Sequence, residues 1–211
     1  MGEMILRYYG WAQQYVGLHF ESYDDHIFNP IIKERVLQAT PTNDGHITVY
    51  LPHYGLQVLQ QEFSNHRDVH FQIFSPHVKQ PFSEYNCQFY PVSNEAFTNS
   101  MINCAGVITG AGFETPSEAL YMGKKLMVLP IRGQYEQLCN AAALEKKGIA
   151  VVPKINHQFH HQLSEWLSSK PTEALTLSHS TDQLIRMVVE KGVAVNNKYC
   201  DTSLTPLTAA I

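Results

Sequence analysis

Val107-Ile108-Thr109-Gly110-Ala111-Gly112-Phe113-Glu114-Thr115-Pro116-Ser117-Glu118-Ala119-Leu120 reads as a buried strand that runs into a glycine turn and leaves it as a helix. The short apolar run bounded by glycine is the strand signal. Gly110 and Gly112 allow backbone N–H groups to approach a ligand closely. Thr115 fits a helix N-cap, Pro116 suits the first turn, and Glu118 three residues after Thr115 completes a capping box. The unpaired N–H groups and dipole of such a helix start attract an anion, typically phosphate. The same pattern also forms at helix starts that bind nothing. Glu118 therefore has two readings, helix cap or ligand group.

Outward from this segment the same alternation continues in both directions. Strand candidates lie at 46–51, 69–74, 87–90, 105–109, 126–129 and 149–152. Helix candidates lie at 55–65, 94–102, 115–122, 134–147, 157–167 and 181–191, the fourth ending in Lys146-Lys147-Gly148, a basic last turn and a glycine stop. Strands joined through helices must pair in parallel, and a parallel sheet needs helices on both faces. The expected fold is therefore α/β: a doubly wound, mostly parallel six-stranded sheet. Its ligand belongs at the carboxyl ends of the strands, near the point where strand order reverses.

Before residue 44 the texture is irregular. A strand over 11–20 and a short helix over 30–38 are expected there, and 39–45 is dense in turn residues and reads as a linker. The expected organisation is a segment 1–44 left from an N-terminal or interdomain region, a ligand-binding domain 45–192, and a tail 193–211 without clear period. Asp24 and Asp25 read as solvated loop residues. His157, His160 and His161 can share a helix face; a polar surface helix is the reading, and a metal site the alternative.

Composition narrows the classes. Hydrophobic residues are 44% of the 211 and charged residues only 16%, which excludes a disordered chain. A net charge of −4 argues against nucleic acid as the main partner. No apolar run approaches the roughly 18 residues of a membrane span, and the first 20 residues lack signal-peptide design. Cytoplasm is the expected location, or the periphery of a membrane through a partner. Cys87, Cys104, Cys139 and Cys200 form no CxxC pair and read as buried free thiols. No metal or resident cofactor is expected. A P-loop is excluded because no GK[ST] occurs, and a dehydrogenase fingerprint fits poorly because the turn lacks its third glycine.

The next strand ends at Leu129-Pro130. A polar loop (Ile131-Arg132-Gly133-Gln134-Tyr135) follows, then a helix with Glu136-Gln137 and Asn140-Ala141. With Gly112, Thr115 and Glu118 before them, these two linked motifs make residues 46–190 resemble the C-terminal, donor-binding domain of GT-B fold glycosyltransferases. The enzyme that adds N-acetylglucosamine to make lipid II and the UDP-glycosyltransferases are the members most similar in pattern. The resemblance implies a Rossmann-like half of a GT-B fold, whose substrate is a UDP-sugar or another nucleotide sugar. It implies that Gly110, Ala111, Gly112, Phe113 and Thr115 hold the donor diphosphate, and that Glu118 accepts hydrogen bonds from the ribose hydroxyls. Glu136 and Gln137 would face the sugar, the alternative being a solvated helix start. Asn140 would anchor the loop. Tyr90 and Val92 would lie beside the base. His53, Tyr54 and Gly55 would approach the phosphates or acceptor across the cleft. Retaining members would need an acid where this chain has Gly110, so inverting transfer is expected, with the helix start carrying the leaving charge without a metal.

The catalytic base is not assignable, because in these enzymes it comes with the acceptor site from the N-terminal domain. That domain needs on the order of 150 residues, and 44 precede the regular region. The expected protein is half an enzyme, working with an acceptor-domain partner or self-associating through an exposed apolar face. The alternative is a non-catalytic nucleotide-binding or partner domain of the same fold.

Overall fold

The computed structural model describes residues 15–202 apart from 22 and 172. They pack as two compact units, residues 30–176 in one and residues 15–29 with 177–202 in the other.

In the smaller unit β1 (Gly17–Leu18) pairs in parallel with β2 (Ile27–Phe28). Of the strand expected over 11–20, only this two-residue piece forms among the described residues, and 11–14 lie outside them. Asp24 and Asp25 are exposed in the connection.

The larger unit opens with α1 (Glu34–Leu37), much shorter than the helix expected over 30–38. The chain is still extended at Lys33 (φ −57°, ψ 139°), so only one turn follows it. The segment expected as a linker is pinned instead. The N–H groups of Thr42 and Asp44 donate to the carbonyls of Ile102 and Asn103, and the buried Lys124 ammonium bonds the carbonyls of Thr42 and Cys104.

The alternation then follows: β3 (Ile47–Tyr50), α2 (Leu56–Ser64), β4 (Phe71–Phe74), β5 (Phe82–Glu84), β6 (Cys87–Tyr90), α3 (Asn94–Asn103), β7 (Gly106–Thr109), α4 (Glu114–Tyr121), β8 (Lys125–Val128), α5 (Tyr135–Lys146), β9 (Ala150–Val151) and α6 (Phe159–Ser168). The sheet has seven strands rather than six, in the order β5-β6-β4-β3-β7-β8-β9. The added strand is β5, an antiparallel edge on β6; every other pair is parallel. Between β4 and β6 the chain therefore crosses over by a loop and a hairpin strand, with no helix. Each expected strand is otherwise present, with ends that differ from expectation by at most two residues.

Side-chain alternation along β3 assigns the faces. Ile47 and Val49 join a core with Leu59 and Phe63 of α2 and Phe159, Leu163 and Trp166 of α6. The intervening Thr48 points the other way and hydrogen-bonds Ser100 of α3 at 2.7 Å. Helices thus cover both faces of the sheet. Cys87 and Cys104 are buried free thiols, burial pushing Cys87 up to about 11, whereas Cys139 is exposed on α5, against the buried reading. The Cys200 side chain lies outside the described residues.

In the smaller unit α7 (Thr181–Thr202) extends the helix expected over 181–191, so the first ten residues of the supposed tail are helical. Residues 203–211 lie outside the described residues. No helix among the described residues is long and apolar enough to cross a membrane.

Candidate functional site

The order of strands reverses between β3 and β7, which are neighbours with Tyr50 opposite Thr109. In an open α/β sheet the crevice at that point, outside the carboxyl ends, is where a ligand is held. The two loops leaving it are 51–55 and 110–113, both singled out by sequence. Tyr90, Phe74, Tyr50, Thr109 and Val128 stand in one row across the strand ends. Tyr90 is three strands from Thr109, roughly 14 Å at the usual spacing.

The turn after β7 departs from expectation in one decisive way. Helix α4 starts at Glu114, not after Thr115. Its N-cap is Phe113, in right-handed helical conformation (φ −86°, ψ −44°), and no side chain caps it. There is therefore no capping box: Thr115 and Pro116 are the second and third helical residues. Pro116 has no N–H, and that of Ser117 already bonds the Phe113 carbonyl at 3.2 Å. The N–H groups of Glu114 and Thr115 face no helical carbonyl, the usual condition of a helix start.

Glu118 is only 1% exposed, and neither of its carboxylate oxygens has a hydrogen-bond partner. Buried carboxylates are ordinarily paired or hydrogen-bonded, and burial holds this one above its ordinary range. The nearest cation is Lys33, whose Nζ is 3.7 Å from one Glu118 oxygen and 2.7 Å from Glu114. Lys33 lies within the helix expected over 30–38, where nothing in the sequence marks it as a site residue.

Gly110 and Gly112 both have ordinary negative-side backbone angles, so neither is needed for a left-handed turn. A side chain at Gly110 would meet the Gln137 amide at 3.4 Å, whereas one at Gly112 would meet nothing within 4 Å. Packing therefore does not require glycine at 112.

The other residues divide between holding the loops and facing outward. Asn140, buried on α5, donates to the Ala111 carbonyl at 3.1 Å and so fixes the middle of the turn. Gln137 accepts from the Ile131 N–H at 2.9 Å and donates to Gln134 at 2.8 Å, so its amide is engaged in shaping the 131–134 loop. Glu136 is exposed beside it. Tyr54 accepts from the Ile155 N–H at 2.9 Å, tying the β3 loop to the segment after β9. His53 packs its ring 4.3 Å from that of Tyr54, and loss of hydration lowers its imidazole below the ordinary value. Gly55 is the N-cap of α2. Tyr90 stacks on Phe74, with ring centroids 5.3 Å apart, and Val92 is 49% exposed beyond it. Tyr90 also borders a groove of about 580 Å³ lined by Gln72, Gln88 and Asn99, which the sequence did not suggest.

The histidines of α6 do not share one partner. His160 stacks on His66, with centroids 4.3 Å apart, and His161 lies 3.4 Å from Glu165.

Residues 18–171 match the model of glycosyl transferase family 1. The chain belongs to that family. Among solved structures, this family member is similar to CalG4, the calicheamicin glycosyltransferase, with a TM-score of 0.54 at 12% identity over 80% of this chain and 51% of that one. It is also similar to the glycotransferase of kitacinnamycin, with a TM-score of 0.50 at 16% identity over 67% of this chain and 40% of that one. At such identities the likeness is one of fold, and it makes the chain a GT-B glycosyltransferase-like domain. The glycosyl transferase family 1 chain spans about half the length of these structures or less. No curated protein matches it.

Proposed function

We propose that this chain is the donor-binding half of a nucleotide-sugar-dependent glycosyltransferase, taking a UDP-sugar and acting by inverting, metal-independent transfer together with an acceptor-binding half. The observation that carries the reading is Glu118: a buried carboxylate whose oxygens accept no hydrogen bond and whose ion pair to Lys33 is a loose 3.7 Å, one turn inside the helix that starts at the switch point. A buried carboxylate without hydrogen bonds is costly. A vicinal diol, with two hydroxyl donors side by side, matches its two acceptors, and the ribose of a nucleotide supplies one.

With the ribose on Glu118, the diphosphate falls to the turn 110–113, the outward N–H groups of Glu114 and Thr115, and the Thr115 hydroxyl. That placement puts fixed donors where negative charge grows as the sugar leaves. The base lies toward Tyr90 and Val92, across the roughly 14 Å of strand ends, and the sugar toward Glu136 and Gln137. His53, Tyr54 and Gly55 face the phosphates or acceptor from the neighbouring loop. Gly110 offers no side-chain acid, which is compatible with inversion.

Thermal-shift titration with UDP, GDP and UDP-sugars is the test. UDP or a UDP-sugar should raise Tm by several degrees at millimolar concentration, since a ligand that binds only the folded state stabilises it. No stabilisation by any of them would overturn the donor-site reading.

A further inference from the structure

The helix start assigned to the diphosphate carries a problem of charge. Glu114 is its first residue and Glu118 lies one turn further, so two carboxylates share one face of α4. A nucleoside diphosphate brought to that end meets like charge, which opposes the attraction of the N–H groups. One cation answers both acids. Lys33 reaches in from the extended segment before α1, with Nζ 2.7 Å from Glu114 and 3.7 Å from Glu118. Burial alone would lower its ammonium, yet the hydrogen bond and charge of Glu114 and the charge of Glu118 outweigh that and raise it. Arg35, two residues on, fastens the same segment to α3 through Asn99 at 2.7 Å and Glu95 at 3.4 Å. Lys33 is therefore held at the site from outside the sheet by a separate anchor.

We propose that Lys33 is the charge-matching residue of this site: it neutralises Glu114 so that the helix start accepts a diphosphate, and yields its looser contact with Glu118 to the ribose hydroxyls. The inference rests on the donor-site reading given above. Lys33 acts here through Glu114, as a positioning residue, rather than by its own bond to phosphate.

UDP and uridine titrated into wild type, Lys33→Met, Lys33→Arg and the double variant Lys33→Met with Glu114→Gln test it, by calorimetry for UDP and by chemical-shift titration for uridine. Lys33→Met should weaken UDP at least tenfold and uridine less than threefold, because uridine carries no charge. Lys33→Arg should stay within threefold of wild type. Removing the Glu114 charge in the Lys33→Met background should restore UDP binding at least threefold. UDP affinity unchanged in Lys33→Met overturns the inference, as does equal loss of UDP and uridine. A loss that Glu114→Gln fails to restore overturns it too, in favour of a direct lysine–phosphate bond. A wild-type protein that binds neither ligand fails at the earlier step and overturns the donor-site reading itself.

Discussion

Burial of the Glu118 carboxylate gives it a signature separable from ligand binding. Its carboxyl titrates above its ordinary range because burial disfavours the charge. An acid raised by folding supports the fold while protonated and withdraws that support as pH rises through its folded value. At neutral pH Glu118→Gln should therefore raise the Tm of the ligand-free protein by about 2–4 °C, the shift that ~1 kcal/mol produces in a chain this size. A drop in Tm, read by differential scanning calorimetry, would mean that the carboxylate is structurally satisfied. The sign for ligand is the reverse. Ribose hydroxyls need the ionised acceptor, so UDP affinity should fall as pH is lowered through a value above that of an ordinary glutamate. Sequence showed that position 118 mattered but left two roles open. The start of α4 removes one of them: with Phe113 rather than Thr115 as the N-cap, no capping bond remains for Glu118 to make. Local pattern does not fix a helix start to within two residues, and here those two residues carry the distinction.

Among the elements, the turn between β7 and α4 depends on α5 for its shape. Asn140 meets the Ala111 carbonyl inside the protein, with both residues buried. Asn140→Ala should cost about 1–3 kcal/mol by leaving that carbonyl unsatisfied, measured as a lower urea midpoint at unchanged m-value. Nucleotide affinity should weaken with it, because the N–H groups of the turn lose their fixed direction. A variant as stable as wild type would show that water or another donor replaces the amide. Most elements were legible because central parallel strands are continuous apolar runs between turn residues. Strand β5 was not: Phe82 is 41% exposed and the strand is a three-residue edge, with no buried face to give it a period. Nor could spacing show that Gln137 turns back on the loop before it, since that bond depends on the path of 131–134.

For the whole molecule, the order β6-β4-β3-β7-β8-β9 sets the place proposed for the ligand, and it does so through connections rather than through any one residue. Strand–helix alternation implied a doubly wound sheet, while the particular order, with its reversal between β3 and β7, came from the pairing itself. The segment before β3 was the least legible part. Its short, irregular stretches have no period, and what they do is set by long-range partners: Lys33 on Glu114 and Lys124 on Thr42. If the ligand lies at the reversal, its footprint should be one-sided. Hydrogen exchange with saturating UDP should slow at 51–55, 110–118 and 131–137, and stay unchanged at 66–70 and 122–124, which lead into the opposite strand ends. Protection there would move the site to the amino ends of the strands. The most direct measurement is calorimetric titration of UDP into wild type and Glu118→Gln at neutral pH. Binding to wild type that weakens tenfold or more in the folded variant is the predicted result; equal affinity for the two proteins would contradict the account.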